Sequence, residues 1–468
     1  MDNRCDRRGF IKIMGSAAVA PYMLRATDAM AFGYSSAFRQ PLDKIVLASS
    51  PIPNLPIGVG KGLYPGRVVW AHDPKATSWP GPGQGHWWES NHTNQSAVDG
   101  MISEAIQGLG GKPNNAKAWD ALIRHFNQTH GNGNVGYKRG EKVTIKVNLV
   151  GCIIDGGVDP KSYDLVRGLD YMNASPQMIL ALLRQLVHEA GVQPPDIAVG
   201  DPLALFPNQF YGPLCREFPT VRYLDHDGGN ATYPRTRVQY SPIPFYWSSR
   251  PSRTAQDYVP VPYAEAKYLI NMANLKSHTG AGVTLCAKNH YGSLIRTPPD
   301  KGYYDMHVSL PEEVRGSGHY RALVDLMGHA QMGGKTLLCL IDGLYPGVHP
   351  IEHAPRKWSL YPFNGQWASS LLASQDPVAI DSVAFDFLWA EWNDFPHMSG
   401  ADDYLHEAAL ADRPPSGTFY DPDHAAKVTR LESLGVHEHW NNAQEKRYSK
   451  NLGKGEGIEL VGVGPSAA

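Results

Sequence analysis

Between residues 141 and 150 apolar and polar positions alternate: Val143, Ile145, Val147 and Leu149 interleave with Lys142, Thr144, Lys146 and Asn148. Period two predicts a β-strand. From Ser175 the period lengthens. Met178, Ile179, Leu182, Leu183, Leu186 and Val187 fall on one face of a helix. Ser175 is placed to cap it, Pro176 suits its first turn and Gly191 its end. Ile197–Val199 then reads as a short buried strand closing on Gly200-Asp201. Strand, helix and strand at this spacing make a βαβ unit, hence a parallel sheet.

The same signature recurs along the chain. Gly66–Ala71 predicts a first strand, followed by helices over about 96–109 and 117–130. Lys267–Met272 predicts a strand that runs out into Asn274-Leu275-Lys276-Ser277-His278. Thr336–Ile341 predicts another, ending in Asp342-Gly343. Ser370–Ala373 predicts a third, followed by Asp376-Pro377 and a helix from Val378 to Trp389. Asp376 is placed as the N-cap of that helix, and Asp381 within it as a buried, paired carboxylate. Stretches 205–260 and 295–320 are rich in Pro, Tyr and Gly and read as long insertions over one face. The expected fold is α/β: a mainly parallel sheet with helices on both faces and long loop insertions. The expected division is a leader over 1–31, a loop-rich segment with the first strand and helices over 32–139, an α/β core over 140–395, and a C-terminal extension over 396–468.

The first thirty residues follow a different logic. Arg7-Arg8-Gly9-Phe10-Ile11-Lys12 precedes a mildly apolar run from Ile13 to Leu24 and small residues at Ala29-Met30-Ala31. A basic start, a short apolar core and a small-residue site make an export signal, and the paired arginines point to the twin-arginine route. The run is too short to span a bilayer, which takes roughly 20 apolar residues, and no stable membrane span is expected elsewhere. The expectation is a bacterial protein handed to the twin-arginine export machinery and found in the periplasm or outside the cell. A route that carries folded proteins also makes a bound cofactor or divalent metal a natural expectation.

Composition narrows the function classes. The formal charge of −2 on 468 residues offers no field for nucleic acid or anionic lipid, so neither is expected as a partner. Of the five cysteines, Cys5 lies in the leader, and Cys152, Cys215, Cys286 and Cys339 are scattered with no C-x-x-C. An iron–sulfur cluster is therefore not expected.

In open α/β sheets ligands bind beyond the carboxyl ends of the strands. Lys146, Asn148, Asp201, Lys276, His278 and Asp342 all fall at such ends. The richest run, Asn274 to Gly292, adds Thr279, Gly280, Gly282, Thr284, Lys288, Asn289 and His290. Lysines beside hydroxyls and glycine-opened amides suit a small anion or sugar-like molecule. His278, Lys288, Lys146 and Asp201 are the candidate catalytic groups. Lys276, Thr279, Gly280, Gly282, Thr284 and Asn289 are the candidate ligand- or cofactor-binding groups. His278, His290 and Asp342 are the candidate metal ligands, since neutral imidazole serves as base or ligand near pH 7. A helix over Val283–His290 would stack Thr284 on Lys288 and Cys286 on His290. His86-Trp87-Trp88 offers a flat surface for a sugar ring. His437 and His439, two apart, would share one face of a strand and suit a metal, though not as H-E-x-x-H.

Three stretches resemble the family known as domain of unknown function 362. They are Val143-Thr-Ile-Lys146-Val-Asn148-Leu149, Asn274-Leu-Lys276-Ser-His278 through Gly282-Val-Thr284-Leu-Cys-Ala-Lys288-Asn289-His-Tyr-Gly292, and Leu372-Ala-Ser-Gln-Asp376-Pro377-Val-Ala-Ile-Asp381. The resemblance covers roughly residues 140–390. It implies the α/β fold and the place of the site. Many relatives carry a ferredoxin-like cysteine segment, which this chain lacks. The candidate functions are an exported enzyme acting on a small anionic or sugar-like substrate, or a periplasmic protein that binds an anion or cofactor without turnover.

Overall fold

The structure is a computed structural model, and it describes residues 50–153, 157–250, 257–296, 304–348, 354–424 and 430–465. The leader expected over 1–31, with the Arg7-Arg8 pair and the small-residue site at Ala29-Met30-Ala31, lies outside the described residues. The centre is a ten-stranded sheet. Its strands are β1 (Arg67–His72), β2 (Val143–Val147), β3 (Ile197–Gly200), β4 (Arg222–Asp225), β5 (Thr236–Arg237), β6 (Tyr268–His278), β7 (Gly282–Thr284), β8 (Thr336–Gly347), β9 (Ser370–Ser374) and β10 (Glu459–Val463). The order is β10-β1-β9-β8-β6-β2-β3-β4-β5, with β7 paired on the end of β6. Neighbours run parallel except at β9, which is antiparallel to β8 and β1, and at β7.

Side chains on the two faces of the sheet enter two separate cores, as period two requires. Ile145, Val147, Ile270, Met272, Leu338 and Leu340 face helices α1 (Gln95–Gly110), α2 (Asn115–Thr129) and α3 (Pro176–Arg184). Leu269, Ala273, Cys339, Ile341 and Leu372 face α4 (Cys286–Asn289), α5 (Ala322–Gly328), α6 (Pro377–Glu391) and α7 (Asp403–Ala409). Helices on both faces are what strands buried on both sides demand.

The start of α3 follows its sequence. Ser175 accepts from the Met178 amide at 3.2 Å, with Pro176 in the first turn. Ile179, Leu182, Leu183 and Leu186 are fully buried, each worth about 2 kcal/mol of transfer free energy. The helix carries on through a π-turn over Gln185–Glu189 and stops before Gly191 at φ +76.

Three expectations are corrected. The insertion expected over 205–260 contributes a helix at Asn208–Glu217, strand β4 and the edge strand β5. These strands have four and two residues, too short for their alternation to stand out. Strand β6 does not end at Met272 but runs to His278, because β7 turns back on it: Gly282 pairs with His278 and Thr284 with Lys276. No helix therefore spans Val283–His290. It is confined to Cys286–Asn289, and Thr284 stands opposite Lys276 instead of above Lys288. No helix among the described residues is long and apolar enough to cross a membrane.

Candidate functional site

The carboxyl ends of β2, β3, β6 and β8 meet in one polar network. Lys146 is fully buried and donates to the Val147 carbonyl at 2.6 Å, to Asp201 Oδ2 at 3.0 Å and to Asn289 Oδ1 at 3.0 Å. Asp201 Oδ2 also accepts from the Leu149 amide, and Oδ1 accepts from Leu203. Burial lowers the Lys146 pKa, and the Asp201 charge opposes the fall. All three ammonium protons of Lys146 are thus taken. The motif's last glycine makes room for the pair, since a methyl group on Gly292 would lie 2.5 Å from Asp201 Oδ1 and 3.0 Å from Lys146 Nζ.

Asn289 joins this pair to β6. Its Oδ1 accepts from Lys146 and Asn148, and its Nδ2 donates to Asn271 Oδ1 at 2.7 Å and to the Met272 carbonyl. Asn271 in turn donates to the Cys286 carbonyl and to His290 Nε2 at 3.1 Å. His290 Nδ1 lies 3.0 Å from Ser293 Oγ. Both ring nitrogens of His290 are engaged, and burial, with the nearby Lys146 charge, lowers its pKa to about 3. Asn289 and His290 therefore brace the strand ends from within the protein.

Lys276 is different. It is fully buried, yet among the described residues its amine donates only to Asn148 Oδ1 at 2.9 Å and to the Met172 carbonyl at 3.2 Å. Its pKa falls well below the usual lysine value through burial and then through the charges of Lys288 and Lys146, against the pull of Asp201 and Asp342. Opposite it, Thr284 Oγ1 is buried without a partner among the described residues. Lys288 lies on α4 with a partly exposed stem and an enclosed amine, which stands 3.9 Å over the Tyr291 ring. Burial alone lowers its pKa to about 7. Neither Lys276 nor Lys288 has a carboxylate bonded to it among the described residues. Helix α4 is held from the third motif stretch: Asp381 accepts from the Cys286 and Ala287 amides at 2.8 and 3.0 Å. Asp381 is the buried, paired carboxylate expected, and its partners are the amides of a helix start. Asp376 caps α6 as expected, accepting from Val378 and Ala379.

Beside Lys276 lies a narrow cleft lined by Trp87, Met172, Asn173, Ser175, Asn274, Leu275, Asp342 and Tyr345. Parallel register sets Asn274 next to Asp342. Asp342 accepts from the amides of Ser175 at 2.8 Å and Leu344 at 3.0 Å. Burial raises its pKa to about 6, against those two bonds and Lys276. Two buried atoms of lining residues lack partners, the acceptor Asn274 Oδ1 and the donor Trp87 Nε1. Trp87 was expected as a stacking surface and does line the cleft, whereas Trp88 stacks on His86.

Other expectations change. His278 Nδ1 accepts from the Gly280 and Ala281 amides at 3.0 and 3.2 Å. With Nδ1 accepting, the ring's hydrogen sits on Nε2, which can give a hydrogen bond. Thr279, part-exposed, sits in the turn beside it. The glycines are spent on packing. Gly282 at φ +81 would drive a methyl group to within 2.5 Å of Ala401 Cβ, and Gly280 would place one 2.7 Å from Glu312. His278, His290 and Asp342 do not form a metal-capable group. Among the described residues the ligand atoms that gather within 4.8 Å of one another belong to Asp402, His437 and His439. Asn274, Asn271 and Ser175 were not singled out as site residues from the sequence. Asn274 lay inside the motif and its spacing from Lys276 was the available signal.

Residues 168–386 match a family model described as "Domain of unknown function (DUF362)". The match holds the second and third motif stretches, and the Val143–Leu149 stretch precedes it. No curated protein and no solved structure matches.

Proposed function

From the resemblance to the DUF362 family over residues 168–386, we propose that the cleft beside Lys276 takes a small anionic or sugar-like molecule and that Lys288 moves a proton on it. One observation carries this reading: two lysine amines, Lys276 and Lys288, are enclosed near one another with no carboxylate bonded to either. Enclosing an amine without a bonded counter-charge costs several kcal/mol. A bound anion would supply that charge. An amine with a pKa of about 7 is half deprotonated at neutral pH, as a general base requires. Asn274 Oδ1 and Trp87 Nε1 would bond hydroxyl groups. Lys146 and Asp201 hold the strand ends in place and act through Asn289.

Export by the twin-arginine route, with a periplasmic or extracellular location, belongs to the same proposal and rests on Arg7-Arg8 and the run after it. The test is calorimetric titration of the full-length protein with inorganic phosphate, short carboxylic acids and monosaccharides, with product analysis of each mixture. Saturable binding lost in Lys276→Met and Lys288→Met supports the site, and turnover separates an enzyme from a carrier. If no probe binds up to millimolar concentration, or if both variants bind like the parent, the proposal fails.

A further inference from the structure

The C-terminal extension carries a second group of side chains that the cleft does not use. Asp402 directly precedes helix α7, and His406 follows four residues later on the same face. His437 and His439 lie two apart on an extended segment paired to Ile57–Gly58. Ligand atoms of Asp402, His437 and His439 all lie within 4.8 Å of one another. The His437 ring is 4.7 Å from that of His439 and 4.6 Å from that of His406.

The groups behind these rings fix how they point. Ser382 Oγ donates to the Val378 carbonyl at 2.8 Å, so its hydroxyl proton is already used. It can only accept from His437 Nδ1, which lies 2.8 Å away. The His437 lone pair is thereby left on Nε2. His439 Nδ1 lies 2.6 Å from Asp386 Oδ1, while Asp386 Oδ2 accepts from the Trp440 amide and the Tyr448 hydroxyl, each at 2.9 Å. A carboxylate behind one imidazole and a hydroxyl behind the other form the outer shell that orients metal-binding histidines. His439 Nε2 stands 3.8 Å from Asp402 Oδ2, too far for a hydrogen bond. Two ligands about 2.0–2.1 Å from one tetrahedral ion lie roughly 3.3 Å apart, so a small closing motion would seat it. Asp402 retains 23% side-chain exposure, which gives an ion a way in.

We propose that Asp402, His437 and His439 hold a divalent transition-metal ion of the zinc class, with His406 at the edge of the site. Two imidazoles and a carboxylate without thiolate match that class. The ion would pin residues 436–440 to α6 and α7. A proton on His439, making an ion pair with Asp386 and Asp402, is the competing occupant of the same space.

The test is titration of the chelator-stripped full-length protein with Zn²⁺ and with Co²⁺, followed by visible absorption of the cobalt form. We expect one equivalent bound, with affinity lowered about 100-fold or more in His437→Gln and in His439→Gln, and about 10–100-fold in Asp386→Asn. Lys288→Met should bind the ion like the parent, so this result stands or falls apart from the cleft. Should both histidine variants misfold by near-ultraviolet circular dichroism, Asp402→Asn decides, because its part-exposed side chain tolerates the change. Absence of stoichiometric binding in the folded parent, or unchanged affinity in the folded variants, overturns the proposal.

Discussion

The Lys288 amine should titrate near neutrality. An ordinary lysine at pKa ~10.4 is about one part in 2,500 free amine at pH 7, whereas a group at about 7 is half free. Competitive labelling with trace acetic anhydride, read peptide by peptide by mass spectrometry, reports each lysine's midpoint whatever its accessibility. Lys288 should show a midpoint near 7. The same shift has a thermodynamic signature. Between about pH 7 and 10 the unfolded chain holds a proton on Lys288 that the folded chain does not, so stability rises with pH across this window. The full shift corresponds to roughly 5 kcal/mol, and the solvent reached by the part-exposed stem reduces it to on the order of 2–3 kcal/mol. Lys288→Met should flatten this slope. Anion binding should run the other way, tightening as pH falls through 7 and taking up a proton. A Lys288 midpoint above 9.5, with a parent stability curve that Lys288→Met leaves unchanged, would refute the reasoning.

Three further outcomes follow from the site's geometry. Lys146→Met strands Asp201 in the core and should cost about 3–5 kcal/mol in urea denaturation, with much of the loss recovered in the Lys146→Met/Asp201→Asn double variant. Equal losses in the single and double variants would show the pair is not coupled. Asn274→Leu removes a buried acceptor that has no partner, so stability should hold or rise by about 1 kcal/mol while affinity for the cleft's ligand falls; a clear loss of stability would contradict this. Gly282→Ala meets Ala401 and a positive φ and should destabilise by about 1–3 kcal/mol, visible as a lower melting temperature. Ligand affinity of the folded variant should stay near the parent's, and a selective loss of binding would return Gly282 to the ligand site.

Local periodicity made much of the sheet legible. Strand β2, the capped start of α3 and the Asp376 cap of α6 each follow from spacing and end residues alone. What escaped depends on contacts distant in sequence. β4 and β5 are strands only because β3 templates them. The Asn274–Gly292 run looked like a ligand loop because its glycines and lysines are dense. In the folded chain Gly280, Gly282 and Gly292 make room for Glu312, Ala401 and the Lys146–Asp201 pair. Spacing at strand ends did identify the lysines. It could not tell Lys146, whose protons are all taken, from Lys276 and Lys288. That difference lies in whether Asp201 and Asn289 reach one amine rather than another, which only the packed structure decides.

Strand β1 lies between β9 and β10, and this has a consequence for synthesis. Its partners emerge from the ribosome roughly 300 and 390 residues after it, which at about 5–20 residues per second is a wait of tens of seconds. Until then Val68, Val69 and Trp70 present an apolar strand with both edges open, the kind of segment that pairs with other nascent chains. The half of the sheet built on β1 can close only after β9 and β10 have been made, so a chaperone holding the N-terminal segment through translation should raise the yield of folded protein.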